Sequence, residues 1–342
     1  MNNGKRAHAD DEVNGDDDCG WERPWKRLVT AANTAPQLSA GAPCPPATSS
    51  LERERIAFFA THGFVVLPEL LADEELRFLQ QECALLYEQV HPVKEDAVAQ
   101  VVEQGCVLDV MADYPLREDA AARVDASVYL RVRFKQFGRL CGGEQHAALL
   151  TDENYSVLEK LLFERLPSFA AQLMTKSSDA EEDSTPGSQG LLFFNEHYVV
   201  KPPQTAVEFR WHRDDDEQLG MCVHRASIPP YISAWCALDD VTLENGPLRF
   251  VSQSSLAVQS NPENGERDAN ESEDALDTMA TAPILVPAGA VVFFLSNVWH
   301  CSSANESQAT RRAFYAQYSQ SKIIASPANP WPLSFAIPSK QA

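Results

Sequence analysis

Long apolar runs, paired cysteines and an excess of basic residues are all missing from this chain of 342 residues. No apolar stretch approaches the roughly 18–20 residues that span a bilayer, so a membrane-spanning helix is not expected. The opening MNNGKRAHADDEVNGDDD contains no apolar segment and does not read as a secretory signal. Eight cysteines are scattered without a CxxC pair, which excludes a disulfide scaffold and fits reduced thiols in a cytosol-like compartment. Lysine plus arginine number 28 against 49 aspartate plus glutamate, a formal charge of −21. A field of that sign repels phosphate backbones and anionic headgroups, so neither nucleic acid nor a membrane surface is an expected partner. No repeat recurs at periods of about 20–50 residues. What is present is an ordinary globular mixture, 44% apolar and 23% charged, in a length suited to one large domain or two small ones.

The sequence divides unevenly. Residues 1–50 combine acidic runs with the stretch TAPQLSAGAPCPPATSS and read as a disordered tail. Lys5-Arg6 and Lys26-Arg27 are the only hint of a nuclear address, and pairs this short arise by chance in many tails; the expected location is cytoplasmic. A folded domain is expected over 51–325, with polar inserts near 176–190 and 256–282 and a C-terminal tail over 326–342. Its first part is helical. LERERIAFFATHG stops at Gly63, and a second helix carries the stripe Leu76, Leu79, Cys83 and Leu86. A third, from Asp152, carries Val157, Leu161, Leu162 and Leu166. After Gly190 the period changes. LLFFNEHYVV, TAVEFRWH, YISAWCAL, GPLRFV, PILVP, AVVFFL and RRAFYAQYS are short aromatic and β-branched runs broken by Pro, Gly and Asn. The expected fold is mainly β with N-terminal helices, a curled antiparallel sandwich or barrel.

One constellation carries chemistry. In extended backbone, residues i and i+2 share a face, so His212 and Asp214 of the run WHRDDD can converge on one point. His300 follows the strand AVVFFL and a tight turn. Two imidazoles and one carboxylate on a β scaffold make a facial triad of the kind that holds Fe(II) and leaves three positions open. An HxD triplet alone is weak, and a lone histidine after a strand is more often a satisfied polar group. Arg311, eleven residues after His300, raises the odds: an arginine beside such a metal can pair with a carboxylate of a chelating acid.

With these residues in place, residues 56–320 resemble the phytanoyl-CoA dioxygenase family of Fe(II)- and 2-oxoglutarate-dependent oxygenases. The resemblance rests on FFATHGFVVLPELLADEEL, LFFNEHYVVKPP, FRWHRDDDEQ, ISAWCALDDVTLENGPLRFV, GAVVFFLSNVWHCSSANES and RRAFYAQYS, in the family's order. It implies a double-stranded β-helix, or jelly roll. It also implies His212, Asp214 and His300 as iron ligands and Arg311 as the residue for the distal carboxylate of 2-oxoglutarate. Lys201 resembles a family lysine near the cosubstrate, its alternative being a surface lysine before two prolines. Tyr198, Trp235 and Ser302 are further candidates for the cosubstrate pocket; Tyr198 and Asn195 point into the sheet by alternation or else are plain core, with core favoured for Asn195, and for Trp235 too the alternative is plain core. Arg312 is expected at the surface. The implied reaction consumes O2 and 2-oxoglutarate, releases succinate and CO2 and hydroxylates a small organic substrate, with ascorbate as a possible reductant. Asp214 itself favours hydroxylation over halogenation, because related halogenases leave that corner to a halide.

The family's Pro-Gly-Ser-His segment is replaced by SQSS (252–255), a change that touches neither metal nor cosubstrate and bears only on the adjacent loop. The closing SKQA is not a Ser-Lys-Leu type peroxisomal address, so an acyl-CoA substrate is not implied. Two other classes compete. A non-catalytic jelly-roll binding module predicts the loss of a ligand or of the arginine. A Zn(II) or Mn(II) hydrolase using the same triad leaves Arg311 unexplained. Substrate, oligomeric state and protein partners are not written in the motifs.

Overall fold

The computed structural model describes residues 51–90, 107–111, 124–142, 147–174, 190–215, 229–259, 272–326, 329–332 and 334–340. The tail expected over 1–50 and nearly all of the insert expected at 176–190 lie outside these residues. Helix α1 (Arg53–His62) ends at Gly63, whose φ of 79° is the left-handed conformation that closes a helix. A side chain there would come within 2.5 Å of Val298, so the residue is constrained twice, by conformation and by space. Strand β1 (Phe64–Leu67) follows, then α2 (Asp73–Val90), begun by Glu75 accepting from the Ala72 amide at 2.7 Å. Its stripe Leu79, Cys83 and Leu86 is buried as its spacing requires.

After the two-residue strand β2 (Val107–Leu108) comes α3 (Ala126–Cys141), capped by Asp125, a helix that the apolar pattern does not announce. Helices α4 (Asp152–Lys160) and α5 (Leu166–Met174) are joined through one π turn, Leu161–Arg165, into a continuous rod. The strands then follow as β3 (Leu192–Lys201), β4 (Phe209–His212), β5 (Ile232–Ala237), β6 (Leu248–Phe250), β7 (Val291–Leu295), β8 (His300–Ser302) and β9 (Arg311–Ser319).

Two antiparallel sheets form. The larger runs β1-β7-β5-β9-β3, with β2 also paired to β3; the smaller runs β4-β8-β6. Alternation along the large sheet separates two cores. The face carrying Phe64, Trp235, Val292, Phe294, Ala313 and Tyr315 meets Leu248 and Phe250 of the small sheet, with Phe64 stacked on Phe250 at 4.6 Å. The opposite face, with Tyr198, Ile232, Phe293, Phe314 and Tyr318, is covered by the helices. This is the expected jelly roll, with helices on its outer face.

Three expectations are corrected. The stretch 326–342 is not a free tail. Strand β10 (Ile324–Ser326) pairs with β11 (Asn329–Pro332), and β12 (Ile337–Pro338) joins the edge of β3. Phe335 packs its ring at right angles to Tyr129 and Ile337 is fully buried, so apolar anchoring holds the segment to the domain. The polar insert near 256–282, whose composition suggests a surface loop, carries helix at both ends, with residues 260–271 outside the described residues. It is bounded by α6 (Gln253–Gln259) and α7 (Glu273–Met279), and α7 buries Leu276. Arg312 is not on the open surface but partly buried and paired. Its guanidinium grips Asp239 through two bonds of 2.9 and 2.6 Å and reaches the Gln80 carbonyl of α2.

Candidate metal centre

Strand β4 ends at His212, and the chain turns immediately, held by the Asp215 amide donating to Ser296 O at 3.2 Å. The turn swings Asp214 inward to a buried position. His212 and His300 are register partners across β4 and β8, with ring centroids 4.2 Å apart. One ligand atom from each of His212, Asp214 and His300 lies within 4.8 Å of the others. Their convergence therefore comes from a strand pair plus one turn, not from a continued extended run through Asp214.

Both imidazoles are oriented by backbone. His212 Nδ1 lies 2.7 Å from Arg210 O, and His300 Nδ1 lies 3.0 Å from Val298 O. A carbonyl can only accept, so Nδ1 carries the proton in each ring and Nε2 is left to act as a ligand. Phe294 and Phe250 pack against the His300 ring and fix its plane. His300 Nε2 stands 3.3 Å from Asp214 Oδ1. An imidazole lone pair and a carboxylate oxygen at that separation need a shared cation, a metal ion or a proton. The donor set, two imidazole nitrogens and one carboxylate, suits Fe(II).

Asp214 is restrained through its other oxygen. Oδ2 accepts from Ser233 Oγ at 2.6 Å, the Tyr315 hydroxyl at 2.5 Å and Gln317 Nε2 at 3.2 Å. Burial alone would raise its pKa; when His300 carries a second proton on Nε2, the bond and charge of that imidazolium, with the Ser233 and Tyr315 hydroxyls, bring it down to about 2. Asn195 donates to Gln317 Oε1 at 2.9 Å, and His197 lies flat on Tyr315 at 4.8 Å. Burial pushes the His197 imidazole down to about 4, against the pull of Asp214, so it is neutral near pH 7.

Further along the same face two cations sit side by side. Lys201 and Arg311 are register partners on β3 and β9, and both are buried. Lys201 Nζ donates to Ser302 Oγ at 2.8 Å, to Ser302 O at 3.1 Å and to Ser303 O. Arg311 donates to Gly246 O and lies over the Trp235 ring at 5.2 Å. The Asn-Gly turn makes this packing possible. Asn245 accepts from the Thr242 amide at 2.8 Å and donates to Asp240 O, folding the turn. Gly246, at φ 84°, leaves room that a Cβ would take 2.5 Å from Ser303 O and 3.0 Å from Lys201.

The structure thus brings together His212, Asp214 and His300, and separately Lys201, Arg311, Trp235 and Ser302. It does not bring Tyr198 to either group. Tyr198 and Lys201 have opposite parity on β3, so Tyr198 faces the helices, where its hydroxyl donates to Glu82. Asn195 shares the parity of Lys201 and belongs to the polar row behind Asp214. Ser233, Tyr315 and Gln317 were not among the sequence candidates. Counting alternate residues from Arg311 along RRAFYAQYS would have reached Tyr315 and Gln317; nothing local marks Ser233.

A family model described as phytanoyl-CoA dioxygenase (PhyH) matches residues 59–313. No protein of curated function matches the chain in sequence. Among solved structures, the chain is similar to the non-heme alpha-ketoglutarate-dependent carbocyclase SnoK from nogalamycin biosynthesis, at 18% identity and TM-score 0.47, covering 81% of this chain and 87% of that one. It is also similar to EctD from S. alaskensis with 2-oxoglutarate and 5-hydroxyectoine, at 17% identity and TM-score 0.47, covering 90% of each chain. A third similarity is to EvdO2 from Micromonospora carbonacea var. aurantiaca complexed with 2-oxoglutarate, at 14% identity and TM-score 0.45, covering 83% of this chain and 98% of that one.

Proposed function

Because the chain belongs to the phytanoyl-CoA dioxygenase (PhyH) family of 2-oxoglutarate-dependent dioxygenases, we propose that it hydroxylates a small organic molecule, with His212, Asp214 and His300 holding Fe(II) and Arg311 gripping the distal carboxylate of 2-oxoglutarate. The observation that carries this assignment is the joint presence, between the two sheets, of a three-donor cluster from the small sheet and its turn and a buried pair of cations from the large one. Iron, 2-oxoglutarate and O2 supply the oxidising chemistry, with succinate and CO2 as the by-products.

The rest is the work of this chain. His212 and His300 present Nε2 because Arg210 O and Val298 O hold their Nδ1 protons. Arg311 offers a planar fork of donors matched to a carboxylate, steadied by Gly246 O and the Trp235 ring. Lys201, fixed by Ser302 and Ser303, adds positive charge beside it. Trp235 and Phe294 supply the apolar wall that keeps water from the reacting atoms. Among the described residues no helix is long and apolar enough to cross a membrane. We assign the enzyme to the cytoplasm, a reading supported by the free thiols Cys83, Cys141, Cys236 and Cys301. Its expected partner is a small-molecule substrate, with no nucleic acid.

The test is anaerobic. Protein loaded with Fe(II) and 2-oxoglutarate is expected to show a weak visible charge-transfer band that is lost in His212→Ala and weakened in Arg311→Ala. Succinate release then screens candidate substrates. Folded, iron-loaded protein without the band would overturn the assignment.

A further inference from the structure

The mechanism just given uses Asp214 as a ligand but not the three donors behind it. Their geometry is one-sided. Ser233 Oγ, Tyr315 OH and Gln317 Nε2 all converge on Oδ2, whereas Oδ1 faces His300 Nε2. The three donors come from two neighbouring strands of the rigid large sheet, with Ser233 and Gln317 register partners across β5 and β9. Gln317 also donates to Ser233 Oγ at 3.2 Å and accepts from Asn195, which orients its amide with nitrogen toward Asp214. Ser233 is fully buried, and Tyr315 and Gln317 are nearly so.

A carboxylate can bind a metal through one oxygen or through both. The second mode takes a further coordination position, and an oxygen that already accepts three hydrogen bonds is poorly placed to adopt it. We propose that Tyr315, with Ser233 and Gln317, holds Asp214 as a one-oxygen ligand and so keeps open a coordination position that 2-oxoglutarate needs. Tyr315 is a positioning residue here; it acts through Asp214 and touches no substrate. The inference rests on the dioxygenase assignment, because only a chelating cosubstrate plus O2 demands three open positions at once.

Tyr315→Phe tests it, since the ring that stacks on His197 is kept and only the hydroxyl is removed. Ser233→Ala is the second variant, a small deletion at a well-packed strand position. The parent and both variants are loaded with Co(II) and their d–d spectra compared without cosubstrate; each is then loaded with Fe(II) and titrated anaerobically with 2-oxoglutarate. The expected result is a changed Co(II) spectrum, 2-oxoglutarate affinity weakened on the order of 10- to 100-fold, and metal affinity that does not fall. A merely structural hydroxyl would lower metal and cosubstrate binding together, or lower stability alone. Unchanged Co(II) spectra and unchanged 2-oxoglutarate affinity in both variants would overturn the inference while the parent's charge-transfer band stands. Absence of the band in the parent would fell the dioxygenase assignment instead, leaving the Co(II) comparison to judge the carboxylate by itself.

Discussion

The two faces of the large sheet bury charge in opposite ways. On the face toward the helices, Arg133 is fully buried between two carboxylates. It donates to Glu82 through bonds of 2.6 and 2.7 Å and to Glu196 through Nε and Nη2. Tyr129 and Tyr198 donate to the same two glutamates. Opposite charges there are closed on one another, which is what a low-dielectric interior demands. On the face toward the small sheet, the buried carboxylate and the two buried cations each have their own place along the strands. Asp214 accepts from Tyr315, while Arg311 stands four residues back along β9, about 13 Å of strand, with Lys201 beside it on β3. One face closes an ion cluster on itself; the other spaces a hydrogen-bonded carboxylate and two cations along the strands. The difference separates what the fold needs from what the reaction needs.

His300→Ala breaks the comparison most sharply on the ligand face. It is expected to abolish Fe(II) binding and the 2-oxoglutarate charge-transfer band while leaving the metal-free protein folded by circular dichroism. If the metal-free variant unfolds, the histidine belongs to the interior and the distinction fails.

On the helix face the expectation reverses. Arg133→Met strands Glu82 and Glu196 without a cation and should cost about 3–5 kcal/mol of stability, read by urea unfolding. In whatever fraction stays folded, 2-oxoglutarate affinity should match the parent, because nothing in this cluster touches Lys201 or Arg311. A stability loss below about 1 kcal/mol would mean that the cluster is not the closed ionic unit its geometry describes.

Adjacent arginines allow the same contrast within one dipeptide. Arg311 and Arg312 differ in parity alone. Arg311→Met should weaken 2-oxoglutarate binding by roughly 10- to 100-fold, the worth of lost charge-assisted bonds, with metal affinity unchanged. Arg312→Met should leave that affinity intact and cost about 1–2 kcal/mol of stability, since its partner Asp239 and its own side chain are partly exposed. Equal effects on cosubstrate binding would show that the two faces are not independent.

The legible part of the protein is the part whose chemistry is periodic. His212, Asp214, His300 and Arg311 are chemistry-bearing residues placed beside strands, and their spacing singled them out as candidates, although Asp214 reaches the cluster by a turn and not by the alternation its HxD spacing suggested. Parity, applied strictly along β3, would also have removed Tyr198 and kept Asn195, because positions of opposite parity cannot share a face. Helix α3 was hidden for a physical reason. Its buried side includes Arg133 beside Tyr129, Leu130, Phe134 and Phe137, so the apolar stripe is interrupted where the ion pair enters the core. Strand β12 has two residues, too few to show a period, and only the burial of Phe335 and Ile337 reveals its role. Helix α7 lies in a composition that reads as solvent-exposed; its hold comes from Leu276 and from Asp277, which accepts from Arg249 at 2.7 Å and from Trp211 at 3.3 Å. Such partners are distant in sequence, and no local pattern encodes them.

The last expected effect is read as a slope with pH rather than as a loss at one pH, and it concerns His197, which lies on the ligand face but titrates as part of the fold. Burial holds its folded-state pKa at about 4, below the ordinary value of 6.5. Between those values the unfolded chain binds a proton that the folded protein does not. Stability must therefore fall as pH drops from about 6.5 towards 4, with a slope for this one group of at most about 1.4 kcal/mol per pH unit. His197→Gln removes the titration while keeping a polar side chain behind Asp214. Urea midpoints of metal-free parent and variant, measured across pH 4–7, isolate the group, because Asp214 and Glu75 titrate in both. The parent's curve should fall more steeply on the acid side. Parallel curves would mean that His197 is protonated as readily in the folded protein as in the unfolded chain, and that the ligand face is wetter at this point than its packing on Tyr315 indicates.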